Sequence, residues 1–304
     1  MTTTLSEEEF AEGEAGAGRV RAPSRGRVVA GRFFRTRQGA AGFALLASMF
    51  LLAFAGPLAC PWSAGELDFS AFMQPPSPGH WFGTLQTGAD VFAVTMRGAQ
   101  KSLVVGLLVA VLSTGLAAVA GSFAGYFLGW TDRTLMWVAD LLLVLPAFLV
   151  LAVMSPLFAG GRWMLFVVML ALFLWMVTSK IVRGMTQTIK EREYVKAARF
   201  MGVPPRTIIF RHVMPNLASL LIVDATLNVS AAILTETSLS YFGFGVQPPD
   251  VSLGGLIADG SKTALYAPWT FWFAAGGLII TILSVNLVGD SLRDAFDPGA
   301  GRST

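Results

Sequence analysis

Six apolar runs that can cross a lipid bilayer constrain this chain more than any other feature of its sequence. They lie at about 39–60, 102–128, 135–158, 164–179, 217–239 and 269–287. A bilayer core needs roughly 20 apolar residues in helical form, and within lipid only helices or closed barrels satisfy every backbone polar group. With 54% hydrophobic and 13% charged residues among its 304, the chain is predicted to be an all-α integral membrane protein with six transmembrane helices.

Lysine and arginine cluster on alternate connections between these runs, which indicates how the chain is oriented. Arginines from Arg19 to Arg37 precede the first run, and a second basic stretch begins at Lys180. Because basic loops stay in the cytoplasm, both termini are predicted to be cytoplasmic. Residues 1–38 are interpreted as a cytosolic tail, disordered in its acidic part. Its arginines are interpreted as topology signals, and its scarcity of aromatic residues argues against nucleic-acid binding.

The segment 191–213 is basic although apolar runs flank it, and its pattern predicts two short helices with a break. Gly202 ends the first helix, and Pro204-Pro205 opens a second over about 207–213. Pro215 is then expected to bend the chain into the fifth run. Four residues of the first helix recur with helical spacing and form one apolar face: Tyr194, Ala197, Ala198 and Met201.

Such a face either lies on the membrane surface or docks into a groove on a soluble partner. Ala197 and Ala198 favour docking because small side chains let two backbones approach closely. A lipid-seeking helix would offer more Trp, Phe and Leu.

Polar residues inside the apolar runs predict either a polar pathway or contacts between helices. Charged groups at a helix centre cost about 2.5–3.5 kcal/mol on insertion scales, so they face protein or water. In the fifth run Asp224, Asn228 and Thr235 share a face. Pro146 interrupts the third run, frees a backbone carbonyl, and either bends the helix beside a path or only adjusts packing. The candidate path residues are Pro146, Asp224, Asn228, Thr235 and Glu236.

Glycines predict two close-packed features. Gly121, Gly125 and Gly129 recur every four residues along the second run, where another helix can approach. The glycines and paired prolines that follow the fifth run predict a compact outer turn.

Several kinds of site are missing from the sequence. It contains one cysteine, Cys60, and two distant histidines, His80 and His212, so the spacings of known metal sites are absent. No G-x-x-x-x-G-K-[ST] loop is present to hold a nucleotide. The chain is therefore predicted not to be an enzyme and to bind no cofactor or metal itself.

Three motifs resemble those of ABC importer permeases. Residues 193–216 resemble the family's "EAA" loop through Glu193, the paired alanines, Gly202 and the Pro215-Asn216 pair. Residues 236–257, ETSLSYFGFGVQPPDVSLGGLI, and 286–298 are similar to stretches of the C-type subunit of oligopeptide and dipeptide importers. The resemblance covers about residues 80–299 and implies the MetI-like, type I permease fold.

The segment HWFGTLQTGADVF, residues 80–92, also resembles this family but departs from it at two positions. Leu85 stands where Asp is usual, and Ala89 stands where Arg is usual. The two changes remove one charge of each sign and indicate a lost local ion pair.

The resemblance implies a division of the chain. Residues 39–98 would hold the first transmembrane helix and an extracytoplasmic segment, and 99–299 a five-helix core with a coupling helix near 191–213. Residues 300–304 would be a cytosolic tail. Glu193, Lys196 and Arg199 would make polar contacts to an ATPase. Its groove would receive the apolar side chains ahead of Gly202, which are Tyr194, Ala197, Ala198 and Met201.

The implied function is import of oligopeptides or dipeptides across a bacterial inner membrane. The implied partners are a second, homologous permease, two cytosolic ATPase subunits or domains that carry ATP and Mg, and an extracytoplasmic peptide-binding protein. Alternatives are a permease for nickel or another small solute, a structural membrane subunit, and a secondary transporter with Asp224 and Glu236 as proton or sodium sites.

Overall fold

The computed structural model describes residues 25–296, which form helices joined by short connections. The acidic tail through residue 24 and residues 297–304, with the end of the C-terminal motif, lie outside the described residues. The helices are α1 (Arg25–Arg35), α2 (Arg37–Ala59), α3 (Val91–Phe127), α4 (Gly129–Val144), α5 (Ala147–Met154), a 3₁₀ turn (Ser155–Phe158), α6 (Trp163–Lys190), α7 (Glu193–Phe200), α8 (Pro205–Ile208), a π-helical turn (Ile209–Val213), α9 (Met214–Tyr241), α10 (Leu253–Thr263) and α11 (Trp269–Phe296).

Five helical stretches in the described part are long and apolar enough to cross a membrane, and a bent pair raises the number to six. This agrees with the prediction of an all-α membrane protein with six spans. The side that holds α7 is called the inner side below, and the opposite side is the outer side. The candidate spans are α2, α3, α4 with α5, α6, α8 continued into α9, and α11.

The third predicted span is broken where Pro146 interrupts it. Helix α4 ends at Val144, and the axis turns by 79° before α5 continues to the 3₁₀ turn. Proline lacks the backbone N–H that would continue the hydrogen-bond ladder, and its ring clashes with the preceding turn. The sequence therefore predicted the break, while the size of the bend comes from the structure.

Helices α3 and α6 form the closest pair, and two of the predicted glycines lie where they touch. A side chain at Gly121 would overlap the backbone oxygen of Ser179, and one at Gly125 would come within 2.5 Å of the oxygen of Arg183. Gly129, the third member of the predicted stripe, instead lies in the turn before α4 with φ at +58° and faces open space. The prediction was wrong for Gly129 because α3 already ends at Phe127.

Four helix boundaries differ from the predicted ones, and in each case the helix is longer than predicted. Helix α3 begins at Val91, since Asp90 accepts a hydrogen bond from the N–H of Ala93 (2.8 Å) and caps the helix. Helix α4 begins at Gly129, which absorbs the predicted inner turn at 131–133. Helix α6 continues past Lys180 to Lys190, and α11 passes residue 287 and continues to Phe296.

Two ion pairs explain why α6 continues. Arg183 donates from Nη2 to Oδ2 of Asp132 (2.6 Å), and Lys180 pairs with Asp140 (2.5 Å). Both carboxylates belong to α4. The basic residues that were predicted to follow the span are thus held on the helix by a neighbouring helix.

The sequence did not predict helices α1 and α10. Residues 25–35 were interpreted as part of a cytosolic tail, yet α1 buries Phe33 to 7% exposure and packs on α11. Helix α10 follows the predicted outer turn and starts where Ser252 accepts a hydrogen bond from the N–H of Gly255 (3.3 Å). Both helices gain their stability from packing rather than from intrinsic propensity.

The outer segment before α3 is fixed by buried polar contacts. Nδ1 of His80 lies 2.9 Å from Oδ2 of Asp90, and the imidazole ring stacks on Trp62. At the two positions where the resemblance implies a charged pair, Leu85 donates its N–H to the carbonyl of Ala89 (2.9 Å), and both side chains pack on the same apolar cluster. Apolar packing therefore occupies the place of the missing ion pair.

Candidate functional site

The inner side carries a helix–glycine–helix hairpin, defined here as residues 193–208, at the predicted place. Helix α7 ends where the N–H of Met201 bonds to Ala197 and the N–H of Val203 bonds to Ala198 (3.0 and 3.1 Å). Gly202 has φ at +79°, a left-handed conformation that L side chains rarely adopt. Glycine is therefore required by the backbone at this turn.

The hairpin is anchored to the transmembrane helices through an apolar cluster. Val195 of α7 is 2% exposed, and Ala198 is 3% exposed. The cluster joins α7 to α3, α6 and α9, so a force applied to α7 reaches three spans. Its buried members are Tyr126, Val182, Ile189, Val195, Ile208, Ile209, Val213 and Leu217.

The opposite face of α7 and its C-terminal end are exposed. Phe200 is 89% exposed, Met201 is 76% exposed and Tyr194 is 43% exposed. Among the predicted coupling residues, the exposed ones are Glu193, Tyr194, Lys196, Ala197, Arg199, Met201 and Gly202.

Two details of the predicted face are corrected by these exposures. Ala198 points into the chain and supports α7 from behind, because the helix rests on the side that carries Val195. Phe200 escaped the prediction because it lies off the i, i+3, i+4 stripe, and its position in the last turn beside Met201 is the signal that could have revealed it.

A basic cavity of about 500 Å³ opens between this hairpin and the end of α3. Nζ of Lys190 donates to the carbonyl of Tyr126 (2.8 Å), and Lys196 pairs with Glu191 (2.9 Å). The hydrogen bond and charge of Lys196 hold the pKa of the Glu191 carboxyl below its usual value. Arg199 adds another positive charge to the lining.

The segment after the hairpin differs from the predicted bend at Pro215. Helices α8 and α9 run on through a π-helical turn, Ile209–Val213, in which the N–H of Met214 bonds to the carbonyl of Ile209. The π-helical turn is wider than an α-helical one and accommodates Pro215. Nδ2 of Asn216 donates to the carbonyl of His212 (2.6 Å). The hairpin is therefore continuous with the span that follows it.

Three helices meet at a polar cluster around Asp224, whose components come from α3, α6 and α9. Thr178 Oγ1 donates to Oδ1 (2.7 Å), and Thr114 Oγ1 donates to Oδ2 (2.9 Å). Asn228 Nδ2 donates to Oδ2 as well (2.9 Å), so the predicted shared face of these two residues is observed. Thr114 and Thr178, which the sequence did not single out, complete the cluster.

The other predicted path residues lie apart from this cluster. Thr235 donates to the carbonyl of Ala231 (2.8 Å) on its own helix. Glu236 is completely buried and accepts hydrogen bonds from Ser240 (2.6 Å) and Ser102 (3.2 Å). It lies about 100° around α9 from the Asp224–Asn228 face, and its partners hold the outer ends of α3 and α9 together.

Pro146 directly precedes α5, whose Phe148 belongs to an aromatic group on the outer side. The ring of Phe148 in α5 meets those of Phe242 and Phe244 edge to face, at centroid distances of 5.7 and 6.3 Å. The bend thus brings α5 against the loop that follows α9.

A bundle of membrane-crossing helices that presents an anchored, exposed hairpin on one side has the form of a membrane transport subunit. Residues 117–302 match the family described as "Binding-protein-dependent transport system inner membrane component", and the chain belongs to this family. It is therefore a multi-pass inner membrane protein and a permease subunit rather than an enzyme. Subunits of this family bind no cofactor themselves, and membership implies an ATPase and a binding protein as partners.

Similar proteins cover nearly the whole chain. The oligopeptide transport system permease protein OppC of Mycobacterium tuberculosis is 52% identical over 278 residues, which is 91% of this chain and 96% of the relative. A putative peptide permease protein of Brucella suis is 38% identical over 89% of this chain and 90% of its own length. OppC of Bacillus subtilis is 35% identical over 88% of this chain and 87% of its own length.

Proposed function

We propose that this chain is the C-type permease subunit of an ATP-driven importer of oligopeptides. The relatives described above are named as peptide permeases, and their similarity to this chain extends over most of their length. The observation that carries the coupling part of the proposal is the hairpin. Its base is buried in the chain, while Phe200 and Met201 are exposed and without a partner surface among the described residues.

The proposed mechanism transmits motion through this hairpin. The exposed apolar side chains enter a groove on the ATPase, while Glu193, Lys196 and Arg199 contact its polar rim. Because Val195 belongs to the cluster that joins α7 to three spans, and Ala198 is buried as well, movement of the ATPase tilts α3, α6 and α9 together. ATP binding by the partner opens the path outward, and hydrolysis returns it to the inward-facing state.

The path itself is proposed to form against a second, homologous permease. Pro146 and the broken span are placed beside it, together with the partly exposed polar face at Asp224, Asn228 and Thr235. The position of Glu236 supports a structural role at the rim instead, since its carboxylate is enclosed by its own chain. ATP and Mg are bound by two ATPase subunits or domains, and an extracytoplasmic protein delivers the peptide.

Orientation follows from charge. Residues 25–37 and 180–211 carry most of the lysines and arginines of the chain, and the positive-inside rule assigns the side that holds them to the cytoplasm. Both termini are accordingly proposed to be cytoplasmic, and the loop between α9 and α10 extracytoplasmic.

The test is transport by the assembled complex in proteoliposomes. Met201→Glu should abolish ATP-driven uptake of a labelled oligopeptide, because a charge would be forced into an apolar groove. Thr188→Glu, which adds the same charge at an exposed position near the end of α6, should leave uptake intact. Normal uptake by the Met201 variant would contradict the docking role, and uptake of nickel in place of peptide would contradict the substrate class.

A further inference from the structure

A proline and a glutamine fix the register of α2 against α3 near their outer ends. Pro57 lies inside α2 and has no N–H, so the carbonyl of Ala53 loses its normal partner one turn earlier. Gln100 of α3 replaces it, since its Nε2 donates to this carbonyl at 2.6 Å. The two antiparallel helices are thereby aligned at Ala53 and Gln100.

This alignment places Arg97 at the membrane boundary. Helix α2 ends at Ala59, so Ala53 lies about 9 Å below its outer end at 1.5 Å per residue. Arg97 is three residues from Gln100 toward the outer side, about 4–5 Å nearer to the surface. A guanidinium on a long side chain at this depth reaches the headgroup region of the bilayer.

Two cavities meet at Arg97, and their linings differ in polarity. The lower one, about 220 Å³, is lined by the apolar side chains of Phe54, Val104 and Trp163 and by Arg97, Gln100 and Lys101. The upper one, about 590 Å³, is lined by Arg97 and Glu66 among other residues of the outer segment. Together they form an amphipathic crevice with an apolar floor and charges of both signs above it.

Arg97 is not neutralised by the protein in the part of the chain that the structure describes. Its contact there is a hydrogen bond from Nη1 to Oε1 of Gln100 (3.3 Å), and it belongs to no ion pair among residues 25–296. Lys101, the residue after Gln100, is paired with Asp250 (2.6 Å) and lies over the Trp163 ring. The crevice therefore offers one uncompensated guanidinium, and the Glu66 carboxylate, which accepts a hydrogen bond from the N–H of Ser63 (2.7 Å), lines the same upper cavity.

We propose that this crevice binds one zwitterionic phospholipid of the phosphatidylethanolamine class. The phosphate is held by Arg97, whose planar fork suits two parallel hydrogen bonds. The ammonium group lies toward Glu66, and an acyl chain follows Phe54, Val104 and Trp163. An anionic lipid such as phosphatidylglycerol supplies the phosphate but no ammonium, so Glu66 disfavours it. This site is separate from the hairpin and does not depend on the substrate transported.

The experiment is native mass spectrometry of the full chain, alone and in its assembled complex, after exchange into detergent with equal amounts of the two lipids. One retained phosphatidylethanolamine is expected per chain, in preference to phosphatidylglycerol. Arg97→Gln should lower its retention roughly tenfold, and Arg97→Lys should keep most of it. Glu66→Gln should abolish the preference between the lipids.

Arg162→Gln is the matched control, since Arg162 is another exposed arginine on the outer side and lines neither cavity. It should retain lipid as the unsubstituted chain does. Equal retention by the Arg97→Gln variant, or equal retention of both lipids by the unsubstituted chain, would overturn the proposal. Loss of the lipid on assembly, with a second permease covering the crevice, would overturn it as well.

Discussion

Phe200→Ala should weaken binding of the ATPase while leaving the fold of this chain unchanged. Burying a Phe side chain completely is worth about 1.5–3 kcal/mol, and 89% of Phe200 is still exposed. Nearly all of this free energy is thus available to a partner, and truncation should remove about 2 kcal/mol, or roughly 30-fold in Kd. Because Phe200 contributes little to the chain's own packing, its unfolding free energy should change by no more than about 0.5 kcal/mol.

Val195→Ala is the matched control, because it should lower the stability of the chain rather than its affinity for the ATPase. Val195 is 2% exposed in the cluster that anchors the hairpin, so the cavity should destabilise the chain by about 1–3 kcal/mol. The Kd for the ATPase, measured by interferometry with the chain in detergent, and thermal unfolding separate the two effects. An unchanged Kd for the Phe200 variant would refute the claim that this side chain enters the partner's groove.

Three further predictions concern the hairpin turn, the polar cluster and the outer segment. Gly202→Ala should destabilise the turn by about 1–2 kcal/mol because φ of Gly202 is +79°. Gly202→Asn should destabilise the turn less, and hydrogen exchange measures both effects. Asp224→Ala leaves the hydroxyls of Thr114 and Thr178 without their acceptor, so thermal unfolding should show a loss of about 2–4 kcal/mol, and an unchanged midpoint would contradict this. Hydrogen bonds from Ser70 hold the pKa of Asp68 below its usual value, so its stabilisation of residues 66–72 is present at neutral pH and lost as pH falls through that lowered pKa. Hydrogen exchange should show this loss in the unsubstituted chain and no such pH dependence in Asp68→Asn.

The sequence predicted those features whose causes are local. Six apolar runs, the break at Pro146 and the glycine that ends α7 follow from hydrophobicity and backbone chemistry. The hairpin and the Asp224–Asn228 face were also found, because both depend on helical spacing within one segment.

The remaining features depend on partners distant in sequence. Thr114 and Thr178 look like ordinary residues of apolar spans until α3, α6 and α9 meet at Asp224. Ala198 matched the apolar stripe, but the side of α7 that rests on the spans is decided by tertiary packing, and this side includes Ala198. Helix α1 depends likewise on its contact with α11.

Photo-crosslinking from position 201 in the assembled complex tests the central claim most directly. A photoreactive residue at Met201 should attach to the ATPase, and one at Thr188 should not, with peptide uptake retained in the Thr188 variant. A complex that transports peptide while position 201 attaches only to lipid or to this chain would contradict the account of the hairpin as the joint between the permease and its ATPase.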